Sequence, residues 1–229
     1  MRTNKPTMAT LRDRILGPRI PKEEREARAE LYRKPVFFFI GAALLLVASI
    51  FLPYWILRLK APQFPDGLVL KAYVNRLEGD VEIIEGLNHY VGMPSFSHGA
   101  VLERELSVIA ITVLAGLLVA ALLFRNRWVI VFTVPALLYP LIFAADLQYW
   151  LWRYGHSLDP TAPLAHAVGE FTPPVFGPAQ IAQFKTLALP GPGFILALAA
   201  SVLVAAGLWY HRAAYKPLLE ALEQREDET

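Results

Sequence analysis

Four stretches of the chain stay apolar for long enough to cross a bilayer, and the polar segments between them differ sharply in length and charge. The first stretch runs from Val36 to Leu52, and Pro53-Tyr54-Trp55-Ile56-Leu57 extends it. Leu106 to Phe124, Trp128 to Ala145 and Gly193 to Tyr210 follow. A hydrocarbon core of about 30 Å takes roughly 20 helical residues at about 1.5 Å each. The pattern therefore predicts four spans, over about 36–57, 106–124, 128–150 and 193–210. Pro135 and Pro140 fall inside the third, where a kink rather than a break is expected, because neighbours in a membrane can satisfy the freed carbonyls.

The two long connections carry patterns of their own. In residues 58–105, Leu68, Leu70, Ala72 and Val74 alternate with other residues, Asn75 to Asp80 supplies turn chemistry, and Val81 and Ile83 alternate again. That reads as an antiparallel hairpin returning Leu87–Pro94 towards the membrane. One hairpin is only marginally stable in water, so it needs a partner to pack on. Residues 151–192 are the nearest candidate: long, apolar, rich in proline, and entered through Tyr149, Trp150, Trp152 and Tyr154. Within them Ala179 to Phe184 reads as a short interfacial helix. The expected architecture is an all-α transmembrane four-helix bundle with a small extracytoplasmic cap, a β-hairpin plus a long apolar loop. Residues 1–34 form an N-terminal arm, 35–210 the membrane domain and 211–229 a tail.

Charge gives the orientation. The first 34 residues hold ten Lys or Arg against five acids, and Lys22 to Glu30 after Pro21 reads as a short surface helix. The Arg125-Asn126-Arg127 turn adds two more, and Arg212 and Lys216 follow the last span. The segment 58–105 has five basic residues against seven acids, and 151–192 has only Arg153 and Lys185. Basic residues stay inside, so both termini are expected in the cytoplasm, with both long connections outside.

Composition narrows the chemistry. At 229 residues, 55% of them hydrophobic, with a positive mean hydropathy, the chain is too apolar for an ordinary soluble domain and too short for a large transporter. A net charge of +2 points to no nucleic-acid partner. The absence of cysteine removes disulfides, thiolate metal sites and cysteine nucleophiles. No phosphate loop, Ser-His-Asp set or paired-carboxylate motif is present, so no catalytic residue is assigned, no cofactor-binding residue is identified, and the chain reads as a non-enzyme.

Two loop stretches could carry a site. His89 and Met93 stand four apart, and His156 comes from Tyr154-Gly155-His156-Ser157-Leu158-Asp159-Pro160. Imidazole and thioether together suit copper, with Met favouring Cu(I), which makes these three the candidate metal ligands. The alternative is structural: His89 packs in a loop, Met93 fills a gap, and His156 closes a turn. Tyr90, Trp150 and Trp152 are the candidate docking residues, since aromatic anchors dominate interfaces. Asp146 lies 18 residues past Trp128, about 27 Å along a helix, which places it at the outer interface rather than mid-membrane.

Several of these stretches resemble, in combination, a family of small bacterial membrane proteins associated with gene clusters for nitrous oxide reductase and copper handling. They are Phe51-Leu52-Pro53-Tyr54-Trp55, Ala61-Pro62-Gln63-Phe64-Pro65-Asp66-Gly67-Leu68, Leu87-Asn88-His89-Tyr90-Val91-Gly92-Met93, Tyr154 to Pro160, and Phe171-Thr172-Pro173-Pro174. The resemblance covers roughly Pro35 to Gly193. It implies an accessory protein supporting a periplasmic or membrane copper or respiratory enzyme, with membrane lipid and that enzyme as partners and copper as the candidate metal. It assigns no catalytic residue. The competing expectation is an integral structural subunit of a respiratory membrane complex with no metal of its own.

Overall fold

The computed structural model describes residues 16–17, 22–181 and 183–227. Its order is helix α1 (Lys22–Ala27), α2 (Ala29–Ser49), strands β1 (Trp55–Ala61), β2 (Phe64–Ala72) and β3 (Leu77–Gly79), then helices α3 (Val81–Val91), α4 (Val101–Ala121), α5 (Trp128–His156) and α6 (Ala165–Val168). Strands β4 (Gly177–Ile181) and β5 (Phe184–Pro190) and helix α7 (Pro192–Asp227) complete it. Four helices are long and apolar enough to cross a membrane: α2, α4, α5 and Pro192–Leu218 of α7. The chain reads as a multi-pass membrane protein with a small antiparallel sheet. Most of the expected N-terminal arm lies outside the described residues, although the Lys22–Ala27 helix within it is present.

The helices do not coincide with the expected spans. The first helix stops at Ser49 rather than Leu57. Pro53 disfavours the helical conformation in the residue before it, and the chain turns and becomes β1. The third helix continues to His156, unbroken by Pro135 and Pro140. The fourth continues past Tyr210 as far as Asp227.

The expected hairpin exists in altered form. β2 and β3 pair antiparallel, Leu70 opposite Gly79, but the second arm is only three residues long. Val81 and Ile83 belong to helix α3 instead. The apolar residues Val81, Ile84, Leu87 and Val91 recur at helical spacing, which outweighs the short alternation. Ala179 to Phe184 is likewise not a helix: β4 and β5 form a hairpin in which Ile181 faces Phe184.

Strand β1 joins the two connections. It pairs antiparallel with β2 on one side and with β5 on the other, giving one sheet of order β3-β2-β1-β5-β4. The hairpin thus finds its partner in the second connection, through a strand that the apolar run up to Leu57 concealed.

Two compact units result. One comprises residues 1–44, 113–138 and 199–229, the other 45–112 and 139–198. In the first, Phe39, Ala121 and Val129 are buried with Phe124, Phe132 and Leu208 packed on them. The His211 ring nitrogen Nε2 lies 2.9 Å from the Phe124 carbonyl there. In the second, Trp55, Leu59, Leu68, Leu70, Ile84 and Phe184 form the core between the sheet and α3.

Candidate functional site

The stretches marked out in the sequence meet in the second unit. Helix α3 ends at Gly92, whose left-handed φ of 88° lets the backbone turn while its N–H and that of Met93 bond back to the last carbonyls. The segment after α5 then runs alongside. The Asp159 amide donates to the Gly92 carbonyl at 2.8 Å and the Leu164 amide to the Tyr90 carbonyl at 3.0 Å. The Phe171 amide donates to the Gly155 carbonyl at 3.2 Å. The indole N–H of Trp55 donates to the Val175 carbonyl at 2.6 Å, tying the sheet to the proline-rich stretch.

His89, Met93 and Pro94 line a small polar pocket with Ser157 and Asp159. The Asp159 carboxyl is held below the usual carboxylate range, chiefly by bonds from the Thr161 hydroxyl and amide, with a smaller contribution from His89. His156 is not part of this lining. Its Nδ1 lies 2.8 Å from the Trp152 carbonyl, its ring stacks on the Trp152 indole at 4.9 Å, and its Nε2 is 3.8 Å from Glu170. Among the described residues no three His, Asp or Glu side chains gather to hold a metal ion. The imidazole and thioether brought together are two donors of the kind Cu(I) accepts, and the third expected ligand is engaged elsewhere.

The aromatic candidates divide. Tyr90 is 57% exposed at the end of α3, and Trp152 is about half exposed on α5. Trp150 lines a second, larger cavity of about 430 Å³. Leu57 and Leu70 of the sheet, Phe96, and Phe143 and Leu147 of α5 form its apolar walls, with Glu103, Arg104 and Asp146 among its few polar groups. Sequence reading passed over Arg104 and Glu103, counting them only as charges. The signal available was their place just before an apolar span.

No family model and no curated protein matches the chain.

Proposed function

We propose that this chain is a non-enzymatic accessory membrane protein that docks to, and supports assembly of, a copper or respiratory enzyme. The observation that carries the reading is the single sheet built from both long connections. It gives a small membrane protein a braced extramembrane surface, with the α3 C-terminus and Tyr90 held on it by the second connection. A loop needed only to join two helices would not require such bracing. The sequence resemblance to proteins of nitrous oxide reductase clusters supports the choice of partner class. In this reading the four apolar helices close as a bundle in a bacterial inner membrane, both termini are cytoplasmic, and the sheet is periplasmic. His89 and Met93 are the residues that would hold copper in transit.

The test is recovery of the chain from native membranes together with its copper content. Docking predicts stable co-purification of a copper or haem subunit, reduced more by Tyr90→Ala than by His89→Ala, because a large amphipathic contact outweighs a small polar one. Copper delivery predicts in addition that Cu(I) binds the wild type and is lost in both His89→Ala and Met93→Ala. Absence of any co-purifying respiratory subunit would reject docking, and failure to acquire copper from a Cu(I) donor would reject delivery.

A further inference from the structure

The large cavity of the second unit carries an assignment that neither docking nor copper handling uses. One face of the sheet forms a wall of it. Leu57 of β1 stands opposite Leu70 of β2 and Ala188 of β5, and Ala188 opposite Gly177 of β4. The four therefore share a face, and all four line the cavity. Arg58, Lys71 and Lys185 alternate with this set and are exposed on the other face.

Apolar side chains so placed ordinarily meet other side chains, because protein interiors are close-packed. Here a space of about 430 Å³ remains, within the roughly 300–1,000 Å³ of small-molecule sites. Water would find few hydrogen-bond partners against the sheet wall, and a dry void grows costlier with its volume. The space calls for an apolar occupant.

The mouth shows where that occupant comes from. Of the residues lining the cavity only Glu103, Ala110 and Ile142 are exposed, and all three lie on α4 or α5. Ala110 is about two turns beyond Glu103 on the same side of α4. Both Ala110 and Ile142 belong to helices of membrane-spanning length and composition. The opening thus runs from the charged start of α4 into surface that faces hydrocarbon. The apolar species present there is an aliphatic chain of the bilayer, which can enter sideways without crossing water.

We propose that this cavity takes one acyl chain of a membrane phospholipid, admitted past Ala110 and Ile142 and laid against Leu57, Leu70 and Ala188. The polar head group stays at the mouth, beside Glu103. The sheet thereby holds a hydrocarbon chain lifted out of the bilayer.

The experiment uses the full chain in dioleoylphosphatidylcholine vesicles with two photoreactive lipids. One is a phosphatidylcholine with a diazirine near the end of an acyl chain, the other a phosphatidylethanolamine with the diazirine on its amine. Cross-linked positions are read by mass spectrometry, and thermal melting checks folding. The chain probe is expected to label β1, β2 and β5 at Leu57, Leu70 or Ala188, besides exposed span residues such as Ile109 and Leu141. The head-group probe should leave those strand positions unlabelled. Ala110→Trp narrows the mouth from an exposed position and Ser107→Trp from just inside it. Each should abolish the strand labelling while labelling at Leu141 persists. Chain labelling confined to the exposed span residues in the wild type would overturn the assignment. So would equal strand labelling by the head-group probe, or strand labelling unchanged in either variant that melts normally.

Discussion

Asp159 donates its backbone amide to the carbonyl of Gly92 across 2.8 Å, so the segment after the third apolar helix is latched to the helix that follows the sheet. The latch depends on the residue at 92 having no side chain. A Cβ there would meet the Asp159 carbonyl oxygen at 2.8 Å and its nitrogen at 3.0 Å, in a backbone conformation that other residues rarely take. Gly92→Ala is expected to destabilise the second unit by about 2 kcal/mol, combining left-handed strain with displacement of the latch. Faster proteolysis near Pro160 than in the wild type checks this; equal rates would contradict it.

Leu70 sits in β2, beside the central strand β1, and is 3% exposed. Leu70→Asp places an unpaired carboxylate in an apolar core, at an expected cost of a few kcal/mol. Because β1 links β2 to β5, the damage should spread to both connections. Protease resistance is therefore expected to fall in 151–192 as well as in 58–105. Loss confined to the first connection would separate the two halves of the sheet.

Tyr54 is fully buried where the first apolar helix gives way to the sheet, its hydroxyl 2.6 Å from that of Ser49, which donates to the Leu46 carbonyl. Tyr54→Phe removes one buried hydrogen bond and should cost about 1 kcal/mol. Burial also holds this phenol above its usual range, with the Ser49 bond opposing in part. As pH rises past about 10 the unfolded chain releases the proton first, so Tyr54's contribution, complete below that pH, is lost above it. Thermal melting between pH 8 and 11 should accordingly show a shallower alkaline decline for Tyr54→Phe.

The proposed orientation can be tested by labelling. Single cysteines at Gln63, in the exposed turn between β1 and β2, and at Thr172 should react with a membrane-impermeant maleimide in intact cells. One at Asn126, between the second and third apolar helices, should react only after lysis. Labelling of Asn126 in intact cells would invert the orientation.

The four apolar helices were legible because a run of about 20 apolar residues has few stable homes outside a bilayer. The mutual support of the two connections was legible too, since neither could bury its own apolar residues. What misled was local periodicity at element borders. Ile56 and Leu57 continue the apolar run of the first helix, which hid β1, and Val81 and Ile83 mimic an alternating strand inside an amphipathic helix. Of the site residues, His89 and Met93 do share a pocket, while His156, adjacent to that pocket's Ser157 in sequence, turns to Trp152 and Glu170.

The sequence by itself determined the number of apolar helices and the charge difference between the segments that join them, because hydrophobic length and charge are properties of consecutive residues. The tertiary structure decided which strands pair, where Gly92 meets Asp159, and that Arg104 and Trp150, 46 positions apart, line one cavity. Those relations depend on register and on the path of the chain between distant segments, and no window of neighbouring residues contains them.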